Sequence, residues 1–229
     1  MLLIRSMTLV LVLACALFVE KFSLATLAKD YALAMKTKVK ASMCFLAIGV
    51  MGLLTCTQGD YALKIIMGLG LGFCGDALLA DRYLRPERHD ALFVAGGVSF
   101  AIGHCLYVFA MLDLGAKIGP LTLPVFILIM AAAAVYARKK GTNNSPMKVC
   151  AWIYIALVSM MASFAIGAWF RQPSLPLGLM ALGGALFVFS DNVLCAHSFG
   201  WDKRHLLHQL VHISYYAAQI CIALSTFAL

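Results

Sequence analysis

Long apolar runs alternate with short polar segments over the whole chain. The runs are long enough to cross about 30 Å of hydrocarbon as α-helices. Eight such helices are predicted, near residues 2–19, 41–56, 62–80, 91–112, 118–137, 149–170, 175–198 and 206–229. Because the connections are short, we expect one bundle and a single integral-membrane domain over residues 1–229. The predicted fold class is therefore an all-α, polytopic membrane protein.

The composition supports this prediction and narrows the possible partners. Of the 229 residues, 63% are hydrophobic and 12% are charged, which excludes an ordinary soluble domain. The net charge is +8, but the basic residues are spread over several loops and form no single basic face, so no nucleic-acid partner is expected. The eight cysteines lie in apolar runs without a Cys-x-x-Cys pair and are expected to be packing residues.

The basic residues predict the orientation. In the segments that follow the first, third, fifth and seventh predicted helices there are five, three, four and two Lys or Arg. The remaining four lie on the opposite side of the membrane, near the N-terminus and after the even-numbered helices. By the positive-inside rule, the odd-numbered loops are cytoplasmic and both termini face outward, in a bacterial inner membrane. Cleavage of the first helix as a signal peptide would leave five lysines outside, so we expect that helix to be retained.

Two aspartates in apolar runs indicate an internal repeat. Asp76 and Asp191 are 115 residues apart, and the same offset places Ser99 opposite Ser214 and His104 opposite Gln219. We expect two repeats, residues 1–114 and 115–229. With four helices each, both repeats enter the membrane from the same side, which predicts a parallel repeat about an axis along the membrane normal.

The same two aspartates are the candidate catalytic residues. A carboxylate at membrane depth costs about 2.5 kcal/mol or more, so such a residue is a functional candidate by default. Two carboxyl groups that share a low-dielectric site do not easily both ionise, which would supply one acid and one base. The alternative is that Asp76 and Asp191 only hydrogen-bond neighbouring helices.

Other polar residues in the apolar runs are candidates for binding a substrate. His104 and Tyr107 share one helix face, although a lone histidine in such a helix is often a packing residue. The candidate substrate-binding residues are Ser99, His104, Tyr107, Asn192, Tyr215, Tyr216 and Gln219.

A histidine stripe near the start of the eighth helix raises the possibility of a metal site. His205, His208 and His212 have i, i+3, i+7 spacing and, with the aspartates, have the chemistry of metal ligands. Two of the three fall at the headgroup level, where an interfacial role is the simpler interpretation. We therefore expect neither a metal nor a cofactor, and a metal-dependent lipid hydrolase stays an alternative.

Four short motifs carry a resemblance to a known family. They are Gly-Asp-x-x-Leu at 75–79, Gly-His-x-x-Tyr at 103–107, Ser-Asp-x-x-Leu at 190–194 and Tyr-x-Ala-Gln at 216–219. In this order, across eight helices, the set resembles the YhhN and transmembrane lysoplasmalogenase family over nearly the whole chain. That family usually has Lys-Pro at the start of the second helix. The nearest match here is Lys40-Ala41, which adds Lys40 as a candidate substrate contact.

The resemblance implies hydrolysis of the vinyl-ether bond of a lysoplasmalogen. The products would be a fatty aldehyde and glycerophosphoethanolamine or glycerophosphocholine. A vinyl ether hydrolyses by protonation at carbon to an oxocarbenium ion, and a carboxylic acid beside a carboxylate suits that chemistry without a cofactor. A proton-coupled transporter or a lipid-binding membrane protein is the competing class, because repeats and intramembrane carboxylates serve transport as well.

Overall fold

The computed structural model describes the backbone of residues 2–139, 146–198 and 205–229. Within these residues there are eight α-helices, two short 3₁₀-helices at Pro86–Arg88 and Ser225–Ala228, and no strand. The α-helices are α1 Leu2–Leu27, α2 Tyr31–Leu53, α3 Gly59–Asp81, α4 His89–Asp113, α5 Thr122–Lys139, α6 Pro146–Arg171, α7 Leu175–Ser198 and α8 His205–Leu224. The prediction of an all-α protein is confirmed over the described residues.

Six of the described helices are long and apolar enough to cross a membrane: α1, α3, α4, α6, α7 and α8. The apolar part of α5, Thr122–Tyr136, is shorter than these spans. Large apolar side chains point away from the protein interior, among them Leu13, Leu128 and Ile213, each more than half exposed. Contiguous apolar surface of this extent fits contact with lipid. The chain is therefore an integral membrane protein.

Helix α2 differs from its predicted bounds, and the difference affects the site. It begins at Tyr31, where the side chain of Asp30 accepts a hydrogen bond from the backbone N–H of Leu33 at 3.0 Å. The predicted start at residue 41 was wrong because the lysines at 36, 38 and 40 interrupt the apolar run. These lysines lie inside a helix rather than in a loop.

Helix α3 packs against α2 on one side and α4 on the other, while α7 packs against α6 and α8. Glycines allow the close approach of α3 and α4: a Cβ added to Gly75 would lie 2.6 Å from the ring of Phe100. A Cβ on Gly103 of α4 would lie 3.1 Å from the backbone oxygen of Gly68. Helix α2 also contacts α8, and α4 contacts α6. These contacts bring the polar positions of α3 and α7 into one interior.

Candidate active site

A cavity of about 570 Å³ lies between the helices, with walls from α1, α2, α3, α4, α6, α7 and α8. Both Asp76 and Asp191 line this cavity, and both are almost completely buried. A volume of this size is within the range of pockets that enclose a small organic ligand, about 300–1,000 Å³. The two candidate carboxylates therefore face the same internal space.

One wall of the cavity is open to the surroundings. Val98 of α4 and Ile153 of α6 both line the cavity, yet they are 52% and 58% exposed. Gly97 lies beside Val98, and a Cβ added there would meet no atom within 4 Å. This apolar gap between α4 and α6 faces the region where a bilayer would lie. These exposed apolar side chains on the cavity wall are compatible with entry of a lipid chain from the bilayer.

Asp76 is surrounded by donors. Its Oδ2 accepts hydrogen bonds from Ser42 Oγ at 2.6 Å and from Tyr215 Oη at 2.7 Å, and its Oδ1 lies 3.1 Å from Nζ of Lys38. The Lys38 and Asp76 side chains are only 10% and 2% exposed. All of these partners donate, which is what an acceptor-only carboxylate requires. A buried ion pair of this kind also holds both side chains in fixed positions.

Asp191 has different surroundings. Its Oδ2 accepts a hydrogen bond from Tyr154 Oη at 2.6 Å, and in the described part of the chain no basic side chain forms an ion pair with it. The Tyr154 hydroxyl also lies 3.3 Å from Nε2 of His104. Because the single Tyr154 proton goes to Asp191, Nε2 must donate its hydrogen to Tyr154. His104, Tyr154 and Asp191 thus form a directed hydrogen-bond chain.

That direction assigns the tautomer of His104. With its hydrogen on Nε2, a neutral imidazole carries a lone pair on Nδ1. The Nδ1 atom is buried and has no hydrogen-bond partner among the described residues. The ring itself packs at 4.9 Å from the ring of Phe187. His104 is therefore both a packing residue and the end of a polar chain.

A second directed chain ends at Asp76. Tyr107 Oη donates to Oε1 of Gln219 at 3.1 Å, and Nε2 of Gln219 donates to Tyr215 Oη at 3.0 Å. Tyr215 in turn donates its proton to Asp76. Hydrogen bonds aligned in this way polarise one another. The structure thus joins Tyr107, Gln219 and Tyr215 to one carboxylate, whereas His104 is joined to the other.

The remaining predicted binding residues take other partners. Tyr216 Oη donates to the backbone oxygen of Lys38 at 3.2 Å. Ser99 donates to the backbone oxygen of Leu71 at 2.7 Å, and Asn192 donates to that of Val188 at 2.8 Å. The exposed Lys40 lies over the ring of Phe18, with Nζ 5.8 Å from its centroid. The side chains of Ser99, Asn192 and Lys40 thus take partners other than the two carboxylates.

Three residues of the polar clusters lay outside the sequence prediction: Lys38, Ser42 and Tyr154. Lys38 and Ser42 are four residues apart, so once α2 begins at Tyr31 they lie on one face toward Asp76. Because Lys38 was counted among the loop charges, the sequence analysis did not connect it with Asp76. Tyr154 is a polar group in the apolar run of α6, and that position was the available signal for it.

The predicted histidine stripe is only partly described. His212 is buried, lines the cavity and packs its ring 4.6 Å from that of Phe22. The side chains of His205 and His208 lie outside the described residues. Among the residues that are described, no group of three His, Cys, Asp or Glu has the geometry to hold a metal. The expectation of a metal-free site therefore stays a prediction.

Comparisons with known proteins agree with the motifs. The chain is 29% identical over 172 residues to "Lysoplasmalogenase TMEM86A" of Bos taurus, an alignment that covers 72% of this chain and 65% of that protein. It is 30% identical over 138 residues to "Lysoplasmalogenase TMEM86B" of Homo sapiens, covering 59% of this chain and 54% of that protein. The matches thus span between about half and two thirds of these relatives. No solved structure matches.

The family assignment rests on a longer match. A family model described as "YhhN family" matches residues 33–226, which is most of the chain and includes both aspartates. The resemblance carried by the four motifs is therefore confirmed. The chain belongs to the YhhN family.

Proposed function

We propose that this protein is a membrane-embedded hydrolase that cleaves the vinyl-ether bond of lysoplasmalogens to a fatty aldehyde and a glycerophospho-base. The observation that carries the proposal is the pair of buried aspartates, in unlike surroundings, that line one cavity with an apolar side opening. The relatives named lysoplasmalogenase supply the substrate class. A single-chain lipid fits both the opening and the carboxylates.

In the proposed mechanism Asp191 is the general acid. Tyr154 occupies its Oδ2, so a carboxyl proton would be held on Oδ1. This proton passes to the vinyl carbon that is not bonded to oxygen, and the electron pair of the double bond forms the new C–H bond. The oxocarbenium ion that results lies near Asp76, whose negative charge stabilises it.

Asp76 then acts as the base. Water adds to the oxocarbenium carbon and gives a proton to Asp76, which forms a hemiacetal. As the hemiacetal collapses, its hydroxyl proton returns to Asp191 and the glycerol oxygen takes the proton from Asp76. The aldehyde leaves, and both carboxyl groups regain their starting states. No nucleophile and no redox step is required.

We also propose a duplicated architecture of eight transmembrane helices, in repeats of residues 1–114 and 115–229 that form one domain. The packing supports this, because α2 with α8 and α4 with α6 are equivalent pairs in the two repeats. Asp76 on α3 and Asp191 on α7 also occupy equivalent helices. The charge distribution supports outward termini and cytoplasmic odd loops in a bacterial inner membrane, although Lys38 is buried against Asp76 and does not count toward it.

A transporter is the second candidate, because the chain from His104 through Tyr154 to Asp191 could also carry protons. The two functions are separated by an assay in detergent, since transport needs a sealed membrane and hydrolysis does not. We expect the purified chain in micelles to release fatty aldehyde from a lysoplasmalogen, with the heat-denatured protein as control. Folded protein that binds the lipid and releases no aldehyde would exclude the hydrolase.

The ion pair of Asp76 gives a separate prediction. Lys38→Met should destabilise the protein by about 3 kcal/mol or more, because it leaves a buried carboxylate without its cation. The turnover of lysoplasmalogen should fall with it. The measurements are the Tm in detergent and the rate of aldehyde release.

The neighbouring Lys40 supplies a matched control for Lys38. Lys40→Met removes the same charge from the same helix at an exposed position and should leave the Tm close to that of the wild type. Lys38→Met combined with Asp76→Asn should recover stability without recovering turnover. Equal effects of the two single Lys→Met changes would mean that the pair does not organise the site.

A further inference from the structure

Arg82 is a buried cation on the wall of the cavity. It directly follows α3, lines the cavity and is only 7% exposed. Its Nη2 donates to Tyr83 Oη at 2.7 Å, and its guanidinium carbon lies 4.7 Å and 4.9 Å from the ring centroids of Tyr83 and Phe93. Its Nε is buried and has no hydrogen-bond partner among the described residues. The guanidinium is therefore held in place by two rings and one hydrogen bond, and its Nε–H group can still donate to a ligand.

Among the residues that the structure describes, no acidic side chain pairs with Arg82. Lys38, another basic residue described on the cavity wall, pairs with Asp76. Arg85, on the same polar segment, pairs at its exposed position with Asp81 at 3.2 Å. A buried guanidinium normally has an anionic partner, so a ligand is expected to supply one.

The donor geometry of Arg82 and its place along the chain point to a phosphate as that anion. A guanidinium presents a planar fork of donors that matches two oxygens of a phosphate. Arg82 lies six residues beyond Asp76 and keeps helical backbone angles, which separates the two Cα atoms by about 9 Å along the helix. In a lysoplasmalogen about six bonds join the oxygen-bearing vinyl carbon to phosphorus. An extended chain advances about 3.4 Å per three bonds, so these two atoms lie about 7 Å apart. This length is similar to the separation of Asp76 and Arg82 along the helix.

We propose that Arg82 binds the phosphate diester of the lysolipid and so sets the depth at which the vinyl ether meets Asp76 and Asp191. This rests on the proposed function, because that function places the reacting bond at the carboxylates. The lipid chain then extends toward the apolar opening, where Val98 and Ile153 lie. Arg82 is thus a binding residue for the headgroup.

The test is a binding measurement that needs no hydrolysis. Purified full-length protein in micelles is titrated with an alkyl-ether lysophosphocholine and, separately, with the alkylglycerol of the same chain, which lacks phosphate. We expect the wild type to prefer the phosphate-bearing lipid by about 10-fold or more, the scale of one charge-assisted hydrogen bond. Arg82→Gln should lose this preference while its affinity for the alkylglycerol stays close to that of the wild type.

Matched variants separate a phosphate contact from a structural role. Arg85→Gln removes the same charge from the same segment at an exposed position and should keep the wild-type preference. Arg82→Lys keeps the charge without the fork and should keep part of it. A wild type without preference overturns the proposal even if no Arg82 variant folds. Loss of both ligands in Arg82→Gln, or an unchanged preference, also overturns it.

Two further results distinguish the sources of phosphate and the two proposals. Inorganic phosphate should displace the lysolipid analogue only at much higher concentration, because it lacks the apolar chain. Displacement at equal concentration would make free phosphate the ligand and contradict the lipid assignment. Strong preference for the phosphate-bearing lipid without aldehyde release from a lysoplasmalogen would support the role of Arg82 and reject the hydrolase.

Discussion

Asp191→Asn should lower the turnover of lysoplasmalogen by at least about 100-fold, the usual contribution of a general acid. The amide is close in shape to the carboxyl group, can still accept the hydrogen bond from Tyr154, and has no acidic proton to give to carbon. Asp76→Asn should cause a loss of similar size, because it removes the charge that stabilises the oxocarbenium ion. The measurement is aldehyde release per folded protein, with folding checked by size-exclusion chromatography.

Two variants control this result. Asp113→Asn is the same chemical change in a half-buried carboxylate that pairs with Lys64 at the other end of α3 and α4, and its turnover should stay close to the wild type. Tyr154→Phe keeps the carboxyl group of Asp191 and removes only its hydrogen bond, so it should retain part of the activity. Near-normal turnover in Asp191→Asn would remove that residue from the chemistry and leave it a structural role.

The sequence singled out the two aspartates as candidate functional residues, because an ionisable group in an apolar run is a strong signal by itself. Their common cavity follows from helix packing, which the 115-residue offset anticipated. The offset also placed His104 opposite Gln219, and the structure gives each a tyrosine that contacts one aspartate. The sequence pattern thus predicted which polar residues face the interior of the bundle.

The lysine of the site could not be predicted in the same way. Hydropathy treats a lysine as the end of a membrane helix, so Lys38 and Lys40 were both assigned to a loop. Only the family's Lys-Pro pattern made Lys40 a candidate substrate contact. The burial of Lys38 depends on a carboxylate that comes from another helix, and that is information about packing rather than about local sequence.

Ser99 and Asn192 were predicted to bind the substrate, but their side chains bond the backbone instead. Polar side chains in apolar helices can be satisfied by backbone oxygens, and the sequence alone does not separate such residues from ligand contacts.

The substrate range provides the second large effect. Aldehyde release should be confined to lipids with one chain and a vinyl-ether bond, and the matched alkyl-ether and ester lysolipids should give no measurable turnover. Protonation at carbon uses the electrons of the carbon–carbon double bond of the vinyl ether, and neither the alkyl ether nor the ester has a carbon–carbon double bond next to its oxygen. Ester cleavage would need a nucleophile activated by a general base, and the proposed mechanism gives both aspartates other roles. Both analogues should therefore act as competitive inhibitors.

A plasmalogen with its second chain intact should react far more slowly than its lyso form. The cavity of about 570 Å³ has the size of a single-ligand pocket, and a second chain would have to enter beside the first between α4 and α6. Exclusion of such bulk is a task that shape alone can perform. The measurement is product release from vinyl-ether, alkyl-ether, ester and two-chain lipids at equal mole fraction in mixed micelles. Fatty acid release from the ester at a comparable rate would identify an ordinary lysophospholipase, and the oxocarbenium mechanism assigned to Asp76 and Asp191 would then be wrong.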